Sequence, residues 1–202
     1  MKLYFSPGAC SLAVHIALRE VGARFDLAAV DLATHRTADG GDYAAISPRG
    51  YVPLLELDDG SRHTEAAALL QHVADLDPAQ ALIGAPGTGR RLEVLEWLAF
   101  VSTELHKAFS PWLWHKKTAD STRKAVKERL ATRFAELDAR LATREFLAGD
   151  YSVADAYAFT IVNWSNFLAL PMTAYPNLQA YLRRVAARPR VAEALKAEGL
   201  DR

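Results

Sequence analysis

The chain has 202 residues, 50% of them hydrophobic and 24% charged, with 24 basic side chains balanced by 24 acidic ones. This composition supports a packed core and excludes wholesale disorder, and the charge balance argues against a protein built to coat nucleic acid or an anionic membrane. No uninterrupted apolar run approaches the ~20 residues that span a bilayer, no secretory pattern opens the chain, and one cysteine forms no internal disulfide; a cytoplasmic protein is expected.

The first 77 residues alternate in type. Leu3 to Phe5 is β-like, a Ser-Pro-Gly turn follows, and Cys10 to Val21 is helical. Phe25 to Val30 is again β-like, and the polar stretch from Asp31 to Asp42 carries Gly40 and Gly41. The run Tyr51 to Leu57 and the short run Arg62-His63-Thr64 flank Asp59-Gly60, a hairpin signal. Glu65 to Leu76 is strongly helix-forming. A strand–helix–strand unit followed by a hairpin implies a mixed sheet, with one parallel pair and antiparallel neighbours.

Residues 77–89 concentrate Pro and Gly and read as a linker across 78–89. Everything beyond, 90–202, reads as helical. Arg90 to Phe109 carries a wide apolar stripe, Thr122 to Leu141 repeats the pattern, and Ser152 to Leu168, Asn177 to Ala187 and a tail helix from Arg190 complete the half. Ser152 and Asp155 have the spacing of a capping box, where each side chain satisfies a free N–H of the other. Read as an ordinary cap, Asp155 is worth roughly 0.5–2 kcal/mol.

Cys10 is the residue with most chemical potential. At the first turn of a helix a thiol meets unpaired N–H groups and the positive end of the helix dipole, which favour the thiolate. A free cysteine is more often a small buried hydrophobe, so Cys10 alone decides nothing. No C-x-x-C or H-x-x-x-H spacing accompanies it, and no metal site is expected.

The strings Ser6-Pro7-Gly8-Ala9-Cys10-Ser11-Leu12, Thr37 to Tyr43, Pro48-Arg49-Gly50-Tyr51-Val52-Pro53, Thr64-Glu65-Ala66 and Glu96 to Lys107 follow one another in fixed order. Together they resemble the glutathione transferase superfamily, and in detail its bacterial beta class, over essentially the whole chain. The resemblance implies an α/β plus all-α architecture. Residues 1–77 form a thioredoxin-like domain, ordered β-α-β-β-β-α or β-α-β-α-β-β-α, and 90–202 a helical bundle.

It also implies a function: conjugation of glutathione, as co-substrate, to hydrophobic electrophiles, with thiol–disulfide exchange through Cys10 alongside. Cys10, Ser11 and His106 take the catalytic places, with Ser11 and His106 as donors near the thiolate. Val52-Pro53 matches a cis-proline turn whose Val52 backbone pairs with the cysteinyl part of glutathione, beside Tyr51. Glu65 and Ala66 fall at the γ-glutamyl end. Thr103, Glu104 and Lys107 flank His106. Phe109, Trp112, Trp114 and Trp164 are candidates for an apolar electrophile site between the domains. A homodimer is implied, packed through residues 90 to 105.

Three positions depart from the class. His35 replaces a Lys that meets the glycine carboxylate, Ala66 replaces a Ser, and Ala99 stands where an Asn of the partner subunit commonly reaches the ligand. Each removes or weakens a polar contact, so glutathione affinity below that of typical members is expected. Two rivals share the fold: a glutaredoxin-like thiol transferase or peroxide reductase, and a non-enzymatic carrier of apolar ligands.

Overall fold

In the computed structural model, which describes residues 1–201, the chain divides into two compact units: residues 1–81 with the tail from Arg188 onward, and residues 82–187. The first unit opens with β1 (Lys2–Phe5), α1 (Ser11–Glu20), β2 (Asp26–Asp31) and β3 (Arg36–Thr37). It continues with α2 (Tyr43–Ile46), β4 (Leu54–Glu56), β5 (Arg62–His63) and α3 (Ala66–Ala74). The strands form one sheet in the order β3-β2-β1-β4-β5. β1 and β2 are parallel, with Leu3 opposite Leu27, and β1 and β4 are antiparallel, with Leu3 opposite Leu55.

β1 is central because Leu3, Tyr4 and Phe5 are all apolar and all buried, so both faces of the strand are covered. Tyr4 looks toward Val30, Tyr43, Val52 and Leu54. The Asp59-Gly60 hairpin forms as read, with Gly60 at φ +82° and β4 pairing antiparallel to β5. The polar stretch after β2 holds more order than its composition suggested. Thr37 lies opposite Val30 in the short edge strand β3, and Asp42 caps α2 through the Ala44 N–H at 3.0 Å.

The second unit contains α4 (Gly89–Phe100), a π-helical turn (Val101–His106), α5 (Lys107–Phe109), α6 (Asp120–Leu141), α7 (Val153–Val162), α8 (Trp164–Phe167) and α9 (Pro176–Ala186). α7 is buried along its whole length and is the axis of this unit. Two helices read as continuous are interrupted, and near each interruption a side chain bonds a helix carbonyl. Thr103 Oγ1 donates to the Ala99 carbonyl at 3.0 Å, inside the π-helical turn. Asn163 Nδ2 donates to the Phe159 carbonyl at 2.9 Å, where α7 gives way to α8.

The two units divide the chain at places other than the boundaries read from the sequence. Leu82 and Ile83 are buried in the second unit, and the Val153 N–H donates to the Leu82 carbonyl at 3.0 Å, so the segment read as linker is partly core. The tail helix α10 (Pro189–Ala197) packs on α1 of the first unit and is not part of the helical bundle. The reason is chemical: α10 buries Val191 and Ala194 and delivers Glu198 to a buried histidine on α1. Arg188 adds a two-point pair with Glu20 at 2.8 and 3.0 Å.

Candidate functional site

The turn between β1 and α1 places Cys10 at the N-cap of α1, with helical dihedrals and a half-buried side chain. Its Sγ donates to the Val52 carbonyl at 3.2 Å. The Val52–Pro53 peptide is cis, as the resemblance implied. Tyr43, fully buried, holds this segment from behind by donating its hydroxyl to the Tyr51 carbonyl at 2.7 Å. Burial raises the Tyr43 phenol above its ordinary pKa, which keeps it a donor. The Tyr51 side chain is itself exposed.

The Ser11 side chain is fully buried, its Oγ accepts the Ser6 N–H at 3.2 Å, and its hydroxyl donates to the Ser6 carbonyl at 3.3 Å. These bonds brace the turn that carries Cys10.

A second brace was invisible in the sequence. Glu198 accepts the Gly8 N–H at 2.9 Å through one carboxylate oxygen and meets His15 Nδ1 at 2.8 Å through the other. Arg19 Nε donates to His15 Nε2 at 2.8 Å, which assigns the ring proton to Nδ1 and makes His15 the donor to Glu198. His15 and Glu198 are 183 residues apart in sequence, so no local pattern announces the pair.

Glu65 sits before α3 at φ +69°, a left-handed conformation that costs a non-glycine residue roughly 1–2 kcal/mol. Its carboxylate caps nothing, is exposed, and makes a 3.3 Å ion pair with Arg49. Strain of this kind is concentrated at ligand sites. Ala66 is buried and His35 is exposed. The His35 ring lies over Gly50, where an added Cβ would come within 2.5 Å of it, and the φ of +65° at Gly50 favours glycine there.

In the second unit, His106 closes the π-helical turn, a feature frequent at functional sites. Its Nδ1 lies 2.6 Å from the Tyr157 hydroxyl, and its ring meets those of Tyr157 and Trp164 edge to face at 5.8 and 5.1 Å. Burial, helped by the charge of Lys107, lowers the His106 pKa to about 4, so the imidazole is neutral at physiological pH. Glu104 accepts from Arg129 and Arg133 at 2.9 and 2.6 Å; those bonds hold its carboxyl below the usual range. Thr103, Lys107 and Ala99 are exposed.

The four aromatic candidates separate into two kinds. Phe109 is fully enclosed and Trp164 is 5% exposed, and both belong to the core of this unit. Trp112 and Trp114 are 45% and 44% exposed, and Trp114 stacks edge-on against Trp164 at 5.7 Å. Only the latter pair offers open apolar surface. Sequence reasoning did not single out Tyr157, one of three polar side chains on α7 beside Asp155 and Thr160, or Tyr43. A tyrosine in a segment that is otherwise small or buried was the available signal, because a buried phenol needs a partner.

Family models for the glutathione S-transferase N-terminal and C-terminal domains match residues 7–76 and 100–189. The chain is 40% identical to glutathione S-transferase GstA of Escherichia coli O157:H7, over 99% of this chain and 100% of that protein. A sphingomonad glutathione S-transferase complexed with glutathione superposes with a TM-score of 0.93 at 45% identity, covering 99% of this chain and 100% of the other. The bacterial beta-class enzyme of Sphingomonas chungbukensis gives a TM-score of 0.93 at 46% identity, with the same coverage. From strand order to the turn that carries Cys10, the chain belongs to the glutathione S-transferase family and groups with its bacterial beta class.

Proposed function

We propose that the protein conjugates glutathione to small hydrophobic electrophiles. The observation that carries the reading is the Val52 carbonyl facing Cys10 Sγ at 3.2 Å. A peptide that pairs with the Val52 backbone like an added strand brings its own cysteinyl sulfur to Cys10. Glu65, strained and with its carboxylate uncommitted to the helix, supports a contact with the γ-glutamyl end. His35 is assigned to the glycine end. Conjugation then needs the glutathione thiolate to attack the electrophile, forming a C–S bond as the leaving group departs or the acceptor takes up a proton. The neutral His106 ring is assigned to a hydrogen bond with that sulfur.

Cys10 supports a second reaction on the same site. Its thiolate attacks oxidised glutathione, one sulfur joins Cys10 and the other leaves as glutathione thiolate. Intact mass after incubation with oxidised glutathione should show one glutathionyl adduct on the native chain and none on Cys10→Ala. If Cys10 serves exchange alone, the variant keeps its conjugation rate. Loss of conjugation without any native adduct would instead place Cys10 in thiolate activation and remove the exchange reaction.

The assembly we propose is a homodimer through α4, where Leu92 is 62% exposed and Ala99 faces outward. In that arrangement the glutathione site lacks two polar contacts, at Ala66 and at the partner's Ala99. The double substitution Ala66→Ser with Ala99→Asn should tighten glutathione binding about five- to 150-fold by calorimetry, at about 0.5–1.5 kcal/mol for each restored hydrogen bond. Unchanged affinity, or a monomer by light scattering at micromolar concentration, would contradict this account.

A further inference from the structure

We propose that Tyr157 is a positioning residue for the transferase reaction: its buried hydroxyl donates to His106 Nδ1 and fixes the imidazole as the tautomer that carries its proton on Nε2. The inference rests on the assignment of His106 to the glutathione sulfur.

Four observations carry it. The Tyr157 oxygen and His106 Nδ1 are 2.6 Å apart, and Tyr157 is 1% exposed, so no solvent competes at that end of the bond. Tyr157 rides on α7, the helix buried on every side, and is therefore a rigid reference point. The edge-on rings of Tyr157 and Trp164 hold the imidazole plane at 88° and 76°. Among the described residues, nothing bonds His106 Nε2, so one ring nitrogen is anchored and the other is presented.

The donor order follows from chemistry. A phenol O–H is more acidic than the N–H of a neutral imidazole, and the unprotonated ring nitrogen is the stronger acceptor. The hydrogen bond at one nitrogen sets which nitrogen keeps the proton. With the tyrosine donating, Nε2–H becomes a fixed neutral donor. That is the form needed to stabilise a thiolate, because it binds the anion without being able to quench it as an imidazolium would. With the opposite tautomer Nε2 would turn a lone pair toward the sulfur and repel it.

His106 is the last member of the π-helical turn, a feature frequent at functional sites, and Lys107, the next residue, is exposed.

The test uses the full chain. Nitrogen NMR of the native protein, labelled at histidine, should show the His106 proton on Nε2; a proton on Nδ1 would overturn the inference without any variant. Tyr157→Phe should lower kcat about tenfold with little change in the KM for glutathione. In a His106→Ala background the same substitution should cause no further loss. An equal loss in both backgrounds would mean a structural role only, and a native kcat in Tyr157→Phe would also overturn the proposal. If His106→Ala itself keeps the native kcat, the assignment of His106 to the sulfur falls and this inference with it. If His106→Ala is slow while Tyr157→Phe is native, only the present inference falls.

Discussion

Replacing Asp155 with alanine is expected to destabilise the protein by about 3–5 kcal/mol, well beyond the loss of an ordinary helix cap. The carboxylate is fully buried and accepts four bonds. The Ser152 N–H and Ser152 hydroxyl donate at 2.9 Å each, the Leu147 N–H at 2.9 Å, and the Tyr181 hydroxyl at 3.1 Å. The capping box is thus half of the story. The other half ties the start of α7 to the preceding loop and to α9. Alanine would leave all these donors without their acceptor in a region closed to water, and each unsatisfied group costs about 1–3 kcal/mol before relaxation.

Burial opposes the charge and raises the Asp155 pKa, while the four bonds lower it, so part of their energy offsets desolvation. This is why the expected loss is smaller than the sum of the donors. For a chain of this size the change corresponds to a fall in Tm of about 6–20 °C. Asp155→Asn keeps the volume but turns an N–H₂ toward donors, and should lose less than alanine and more than an isolated cap. Urea unfolding checks both, and an alanine variant within about 1 kcal/mol of native would reduce Asp155 to a cap.

The second large effect is expected at Glu198→Ala, at about 3–5 kcal/mol. The His15 and Glu198 side chains are inaccessible to solvent, and the carboxylate is the acceptor for both the His15 ring and the Gly8 N–H. Its removal takes this acceptor from the His15 ring and from the Gly8 N–H, and also loosens the turn from Ser6 to Ala9 that aims Cys10. Stability and chemistry should therefore change together: a lower urea midpoint, and faster, less selective alkylation of Cys10 in the native state. Glu198→Gln retains an oxygen for one donor but not both, so it should recover part of the stability. If Glu198→Ala unfolds normally and Cys10 reacts at its native rate, the carboxylate does neither job.

Strands β1, β2, β4 and β5, the hairpin, the capping box and the division into an α/β and a helical half were legible because each is written locally, whereas the two-residue edge strand β3 lay in a stretch read as a polar connection. Alternation, Asp59-Gly60 and Ser152 to Asp155 act over a few residues. What escaped depends on partners far along the chain. Ser11 looked like a reactive neighbour of Cys10, and only the fold of the turn shows its hydroxyl bound to Ser6. Tyr157 drew no reading from the sequence, because only helix packing sets it against His106. The interruptions near Thr103 and Asn163 left no mark in the sequence: both residues are tolerated inside helices, and Thr132 and Thr160 make the same kind of side-chain bond to a carbonyl without breaking theirs.

The return of α10 to the first unit has a consequence for the order of synthesis. An emerging chain ordinarily folds its leading domain while the rest is still being made. Here the leading unit is a closed body only when its beginning and its end meet, because Gly8 and His15 wait for a carboxylate supplied at residue 198. The helical unit, continuous from residue 82 to 187, is translated before α10. The turn that carries Cys10 is therefore made ahead of the helical unit and locked only after it.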